Sequence, residues 1–200
     1  GQGINLNMVK IHKRANLWQF VLQFIFITGC SNVEEIPASS SIPRTEEQSD
    51  KKPFRILILG DSLTEGYGVS PAQSYPYLLE AKLNKNLLPE QRHYLVINGG
   101  VSGSTTSGGA SRIDWHLKSP PDYLIVALGG NDGLRGIPPE ESKQNLKSII
   151  ERALQKRVPV MIAGMKLPPN YGPAHLRDFE KIFPELSNEL KVPLLPFLLD

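Results

Sequence analysis

The residues best suited to chemistry in this 200-residue chain lie in three glycine-rich segments. The first contains Ser62, which follows Gly60-Asp61 directly after a short apolar run. The second is a predicted loop from Asn98 to Gly109, and the third is Gly129-Gly-Asn131-Asp-Gly133. A serine hydroxyl can attack an acyl carbon, and backbone N–H groups or a side-chain amide can stabilise the oxyanion that forms. Together the three segments favour acyl-transfer chemistry.

Each of these segments follows a hydrophobic run that is typical of a buried parallel strand. Five such runs occur, at residues 55–59, 94–97, 123–128, 158–163 and 192–195. Apolar residues at helical spacing lie between these runs and predict three helices. The first extends from Tyr75 to Leu83 with Ser74 as its N-cap, and the second from Leu146 to Leu154 after Pro138-Pro139. The third extends from Leu176 to Leu190, and Pro184 is expected to kink or divide it. This alternation predicts an α/β fold with a parallel sheet between two helical layers, in which ligands bind beyond the carboxyl ends of the strands.

The motifs resemble those of the GDSL or SGNH hydrolases. The matching residues are Gly60-Asp61-Ser62-Leu63, Gly103 and Gly129-x-Asn131-Asp132. Segments 129–136 and 165–172 look like one branch of that family, which contains periplasmic acyl-CoA thioesterases, lysophospholipases and arylesterases. The resemblance extends from about Phe54 to Asp200.

The resemblance implies a three-layer α/β/α sandwich around a five-stranded parallel sheet. It also implies that Ser62 is the nucleophile, and that the N–H groups of Ser62 and Gly103 and the side-chain amide of Asn131 form the oxyanion hole. The implied substrates are small acyl esters, thioesters or lysophospholipids, and no metal or organic cofactor is implied. The loop from Gly133 to Pro138 lies beside Asn131 in sequence, where it is suited to shape an acyl pocket.

The histidine expected as the general base is not evident. Its family motif is a late Asp-x-x-His, and no such pattern occurs in this sequence. The four histidines (His12, His93, His116 and His175) each fit a surface or packing role better than that of the base. Asp200 follows the fifth apolar run too closely to be the family aspartate. We therefore expect the motif and the final helix to lie beyond this sequence, and the 200-residue chain alone to be nearly inactive.

The candidate site residues also have purely structural explanations. Ser62 could be a helix N-cap, Asn131 a turn former and Gly103 an ordinary loop glycine, while Asp61 is expected to accept hydrogen bonds from backbone amides of its turn. Two other functions stay open. A doubly wound sheet can bind FMN or a nucleotide, although neither G-x-G-x-x-G nor G-x-x-x-x-G-K-[ST] occurs. A surface lipoprotein that keeps the fold as an inactive binding module would also lack the base.

The amino-terminal part of the chain has a different composition. Residues 1–7 precede Met8 and suggest no function, whereas residues 8–29 combine basic residues with a short apolar stretch and predict an export signal. Ile27-Thr-Gly-Cys30 resembles the lipobox of bacterial lipoproteins, in which the cysteine carries the lipid, and Ser31 resembles a signal for sorting to the outer membrane. Residues 30–53 are polar and fit a flexible tether, which leaves residues 54–200 as the hydrolase domain.

Composition excludes several other classes of protein. The chain has 22 basic and 20 acidic residues and a net charge of +2, without the clustered basic face that nucleic acid binding needs. A single cysteine excludes an intrachain disulfide and a cysteine-rich zinc site. Composition and motifs together lead us to expect one domain that acts on a small substrate. The resemblance to a lipobox implies that this domain is attached to the periplasmic side of a membrane through a lipid on Cys30.

Overall fold

The computed structural model describes residues 51–199. The expected export signal, the Cys30 expected to carry a lipid and most of the expected tether lie outside these residues, as do His12 and Asp200. None of the helices within residues 51–199 is both long and apolar enough to cross a bilayer.

A five-stranded parallel sheet forms the centre of the fold. Its strands are β1 (Phe54–Gly60), β2 (Tyr94–Gly100), β3 (Tyr123–Ala127), β4 (Val160–Ala163) and β5 (Leu194–Leu195). They lie in the order β2-β1-β3-β4-β5, and Ile58 pairs with Asn98 on one side and with Ile125 on the other. The five apolar runs of the sequence therefore all become strands, because a parallel sheet is covered on both faces.

Six helices surround this sheet in the described part of the chain. They are α1 (Ser62–Glu65), α2 (Tyr75–Asn84), α3 (Thr106–His116), α4 (Gly130–Leu134), α5 (Pro139–Gln155) and α6 (Pro173–Leu190). The strand order reverses at β1, so right-handed crossovers put α2 on one face and α3, α5 and α6 on the other. On that second face α5 packs between α3 and α6. The result is the predicted α/β/α sandwich.

The hydrophobic core fills the space between the sheet and the layer of α3, α5 and α6. Its fully buried side chains include Leu124, Val126, Ile149, Ile162 and Phe179. The apolar faces predicted for α5 and α6 pack against the core as expected, except that Leu176 and Leu190 are half-buried and Leu154 is partly exposed. On α2, Tyr75, Leu79 and Leu83 pack against the core, whereas Leu78 is exposed.

The helices differ from the sequence predictions in three details. Ser74 occupies the N-cap position of α2, but its hydroxyl donates to the Pro71 carbonyl instead of capping the helix. Pro184 does not divide α6, which is continuous from Pro173 to Leu190. Helix α6 begins at Pro173, three residues before the predicted Leu176, so His175 lies in its first turn.

The glycine-rich segment expected to be a loop from Asn98 to Gly109 is mostly regular structure. Strand β2 continues to Gly100, and α3 begins at Thr106 with the Thr105 hydroxyl accepting a hydrogen bond from the Gly108 N–H. Glycine disfavours a helix in isolation. Here a side chain at Gly109 would place its Cβ 2.3 Å from Leu128 Cδ1, so close packing against the core requires the glycine.

Candidate active site

Ser62 stands at the carboxyl end of β1, where the chain turns into the short helix α1. Asp61 is the N-cap of that helix, and its Oδ1 accepts a hydrogen bond from the Leu63 N–H at 3.0 Å. The alternative that Ser62 caps the helix is therefore wrong, and the expected role of Asp61 is confirmed. Ser62 is half-buried, and its hydroxyl has no hydrogen-bond partner within residues 51–199. Within these residues, the Ser62 hydroxyl therefore lies at the edge of the sheet without a hydrogen bond to the protein.

The turn that presents Ser62 depends on close packing beneath it. A Cβ on Gly60 would lie 1.8 Å from Thr64 Oγ1, so only glycine fits at the end of β1. The Thr64 hydroxyl is buried and lies 2.7 Å from the Tyr75 hydroxyl, with which it shares a hydrogen bond. Burial raises the pKa of Tyr75 to about 12, so this phenol stays protonated and the bond persists at neutral pH.

Gly103 lies in the turn that joins β2 to α3. Its φ of +72° is in the left-handed region, which favours glycine. The Gly103 carbonyl accepts a hydrogen bond from Arg135 Nη2 at 2.9 Å. Within residues 51–199 the N–H groups of Ser62 and Gly103 donate to no protein acceptor. Both N–H groups are therefore free to donate to a bound anion.

Asn131 is held close to both of these segments. It lies in α4, directly after β3, and its Nδ2 donates to the Ser104 carbonyl at 3.1 Å. The same nitrogen lies 3.5 Å from Asp61 Oδ2, at the limit of a hydrogen bond. The first contact fixes the orientation of the amide, and the weakness of the second leaves one N–H available to a ligand.

A buried hydrogen-bond network holds the helix that carries Asn131. The Asp132 carboxylate is fully buried and accepts from the Thr106 N–H at 2.9 Å, the Thr106 hydroxyl at 2.5 Å and the Ser142 hydroxyl at 3.1 Å. Asn145 Nδ2 donates to the same Thr106 hydroxyl at 3.1 Å. Because Thr106 starts α3 and Ser142 belongs to α5, Asp132 fixes α4 to two neighbouring helices.

A cleft of about 270 Å³ opens beside Ser62 and Asn131. Asp61, Gly130 and Lys166 also line it. The rest of the lining is apolar and consists of Leu63, Leu134, Met165, Leu167, Pro168, Phe197 and Leu199. The cleft therefore joins the serine and the amide to a surface suited to a hydrocarbon chain.

The charged groups beneath the site are the buried Asp61 and Asp132 and the half-buried Arg112, and their charges partly compensate each other. Burial is the main cause that raises the pKa of Asp61, and the negative charge of Asp132 adds to it. The positive charge of Arg112 acts in the opposite direction on Asp61. Burial also lowers the pKa of Arg112. An arginine cation thus lies close enough to the turn of Ser62 to influence the charge there.

No histidine within residues 51–199 is bonded to Ser62. His175 Nε2 lies 3.2 Å from the Gly133 carbonyl, and His116 lines a separate cavity with Arg55 and Trp115. His93 precedes β2 at the amino end of the sheet, where its carbonyl accepts from the Phe54 N–H. The same residues contain no group of three or more His, Cys, Asp or Glu side chains that could hold a metal ion.

The structure therefore brings Ser62 and Asn131 to one cleft, and it places Gly103 next to the residue whose carbonyl holds Asn131. Sequence reasoning missed the contacts of Arg112 and the partners of Asp132. Both sets of contacts join residues that are far apart in the chain, so no local sequence pattern predicts them. Thr106 and Ser142 are polar and fully buried, and their polar side chains were the sequence signal that could have indicated this network.

The sequence has clear relatives. A family model described as GDSL-like lipase/acylhydrolase matches residues 58–200. "Esterase TesA" of Pseudomonas aeruginosa is 36% identical over 72% of this chain and 71% of its own length. "Thioesterase 1/protease 1/lysophospholipase L1" of Escherichia coli K12 is 38% identical over 72% of this chain and 67% of its own length.

Solved structures agree with these sequence matches. The crystal structure of AlinE4, described as an SGNH-hydrolase family esterase, is 41% identical with a TM-score of 0.70. The match covers 76% of this chain and 79% of that protein. From the motifs, the sheet order and these similarities together, the chain belongs to the GDSL-like, or SGNH, hydrolase family.

Proposed function

We propose that this protein is a serine hydrolase that cleaves acyl ester and thioester bonds through an acyl-enzyme on Ser62. The observation that carries the proposal is the shared cleft of Ser62 and Asn131, at the edge of the sheet where such folds bind ligands. The serine hydroxyl has no protein partner within residues 51–199, and three N–H donors lie on the segments around it.

The proposed reaction has two stages. Ser62 Oγ attacks the acyl carbon while a base takes its proton, and the carbonyl oxygen becomes an oxyanion. The N–H groups of Ser62 and Gly103 and the amide of Asn131 donate to that oxyanion, and each such donor is worth about 2.7–4 kcal/mol of barrier. The tetrahedral intermediate then expels the alcohol or thiol with a proton. A water molecule hydrolyses the acyl-enzyme by the same steps and releases the acid.

The apolar lining of the cleft supports an acyl chain as the recognised part of the substrate. Leu134, Met165, Leu167 and Phe197 offer contacts to hydrocarbon and few hydrogen bonds. The related Escherichia coli protein is named a thioesterase and lysophospholipase, and a Vibrio mimicus relative is named an arylesterase. We therefore propose acyl esters, acyl thioesters and lysophospholipids as the substrates of this protein.

We propose that the base is the histidine of a late Asp-x-x-His motif beyond residue 200, since His93, His116 and His175 do not contact Ser62. The polypeptide of residues 1–200 is then expected to hydrolyse p-nitrophenyl butyrate slowly and to be accelerated by added imidazole. The reaction of imidazole itself is subtracted with the Ser62→Ala variant. Full activity of this polypeptide without imidazole would contradict the assignment of the base.

The direct test of the proposed function uses the complete gene product with p-nitrophenyl butyrate, lauroyl-CoA and lysophosphatidylcholine. Ser62→Ala is expected to lower every rate by at least a thousandfold while leaving the thermal transition in place. Ser111→Ala is the matched control, because Ser111 is exposed on α3 and does not line the cleft. A Ser62→Ala variant with more than a tenth of the original rate would refute the proposal.

The second candidate function, an inactive binding module, is favoured by one observation, the lack of a base within the described residues. The same assay distinguishes the two functions. An inactive complete gene product that still binds lysophosphatidylcholine would support the binding module.

We further propose that Cys30 carries a lipid and that the protein faces the periplasm from the outer membrane. The lipobox-like Ile27-Thr-Gly-Cys30 and Ser31 support this proposal. Alkyne-palmitate labelling and membrane fractionation test it, with Cys30→Ser expected to abolish both labelling and sedimentation with the outer membrane. Labelling that survives the substitution would contradict it.

A further inference from the structure

Arg112 contacts the ends of two strands and the turn that carries Gly103. Its Nη2 donates to the Gly60 carbonyl at 2.7 Å and to the Gly99 carbonyl at 3.3 Å. Its Nη1 donates to the Ser104 hydroxyl at 2.6 Å. These three acceptors belong to β1, β2 and the β2–α3 turn, so a single side chain joins three segments of the site.

Two of these contacts lie close to residues of the proposed oxyanion hole. Gly60 comes two residues before Ser62, and Ser104 directly follows Gly103. The Ser104 carbonyl in turn accepts from Asn131 Nδ2. The guanidinium therefore bonds residues that lie within two positions of Ser62 and Gly103, and it bonds the residue whose carbonyl accepts from Asn131.

The chemistry of the side chain fits this role better than that of a lysine. A guanidinium presents five N–H donors in a rigid plane, so it can bond separate acceptors at fixed angles, whereas an ammonium is a single point. Arg112 is half-buried, and its Nε is fully enclosed with no partner within residues 51–199. An enclosed N–H group without a partner carries a cost that an arginine exposed at the surface avoids. That cost is consistent with a role in the site.

We propose that Arg112 is a positioning residue for hydrolysis, which holds the turn of Ser62 and the turn of Gly103 at the spacing that the oxyanion requires. The inference rests on the proposed function. An error of about 1 Å in such a site can lower a rate by about a hundredfold. Loss of Arg112 is therefore expected to lower kcat by about 10- to 100-fold and to change KM by less than threefold, since the acyl cleft does not include it.

The test compares Arg112→Ala with Arg152→Ala in the complete gene product. Arg152 also donates to a backbone carbonyl of α3, that of Ala110, at 2.8 Å, but it does not contact the site. Rates with p-nitrophenyl butyrate are expressed per folded molecule, measured by circular dichroism. Arg152→Ala is expected to keep the original kcat. Methylguanidinium at millimolar concentration is expected to raise the kcat of Arg112→Ala at least threefold.

Arg112→Lys keeps the positive charge, and it tests the positioning role of Arg112 if Arg112→Ala does not fold. We expect at least a fivefold loss of kcat in Arg112→Lys, because one nitrogen cannot reach all three acceptors. The inference is overturned if either variant keeps kcat within twofold, if Arg152→Ala falls as far as Arg112→Ala, or if methylammonium rescues as well as methylguanidinium. An original protein without hydrolase activity would instead refute the proposed function, so the two failures are distinguishable.

Discussion

The buried carboxylate of Asp132 provides the most quantitative prediction about this site. It is fully buried and accepts three hydrogen bonds, from the Thr106 N–H, the Thr106 hydroxyl and the Ser142 hydroxyl. Replacement of Asp132 by alanine leaves these donors without their acceptor. A buried polar group that loses its partner costs about 1–3 kcal/mol. Because the two hydroxyls can rotate toward other acceptors, we expect a total loss of about 3–5 kcal/mol of unfolding free energy.

Asp132→Asn is expected to be milder. The remaining oxygen can still accept from the Thr106 N–H, and the new amide can donate to the hydroxyls, so the main loss is the charge on the acceptor. Hydrogen bonds to charged groups are about twice as strong as neutral ones, which gives an expected loss of about 1–2 kcal/mol. We therefore expect the unfolding free energy to be lowest for Asp132→Ala, intermediate for Asp132→Asn and highest for the original protein. This order is typical of a buried network in which every hydrogen-bonding group has a partner.

Urea denaturation and thermal melting measure these differences. For a protein of this size about 1 kcal/mol corresponds to 2–4 °C in Tm, so Asp132→Ala is expected to melt about 6–20 °C lower. Asp178→Ala is the matched control, since its ion pair with Lys181 is exposed and contributes about 0–1 kcal/mol. A loss below about 1 kcal/mol for Asp132→Ala would refute the reasoning about the network.

Two further predictions concern Asn131 and His116. Asn131→Ala is expected to lower kcat on p-nitrophenyl butyrate by about 10²–10³-fold, because one oxyanion donor is lost, and a kcat within twofold of the original would remove Asn131 from the hole. Burial, helped by the positive charge of Arg112, lowers the pKa of His116 below its ordinary 6.5. The unfolded chain therefore binds this proton more readily, and the stability that neutral His116 contributes is lost as the pH falls from 6.5 through the lowered pKa. Urea denaturation at pH 7.5 and 5.5 is expected to show a smaller loss for His116→Gln than for the original protein, and equal losses would contradict the burial argument.

The sheet and its principal helices were predictable because their signals are local. Apart from Arg55, the runs at 55–59 and 123–128 consist of apolar residues, and the face from Leu176 to Leu190 repeats at helical spacing. Helix α3 was not predicted, since its first turn contains Gly108 and Gly109 and its stability comes from packing on α5 and Leu128. Propensity alone cannot reveal a helix whose glycines are required by its neighbours.

The site was predictable to a smaller extent. Ser62, Gly103 and Asn131 lie in recognisable short motifs, and the order of the strands brings their segments to one edge of the sheet. Their support was not predictable, because the bonds of Arg112 and Asp132 span 8 to 52 residues of sequence. The residues that form such contacts come within hydrogen-bonding distance only when the helices have packed.

The most direct test of the central claim is the site at which an organophosphate ester becomes attached. The complete gene product is treated with diethyl p-nitrophenyl phosphate, and the modified peptide is identified by tandem mass spectrometry. Attack by an activated serine is expected to leave one diethylphosphoryl group, on the oxygen of Ser62, with loss of ester hydrolysis in proportion to the labelled fraction. A protein that still hydrolyses esters while unlabelled, or that is labelled at another residue, would contradict the assignment of Ser62 as the nucleophile.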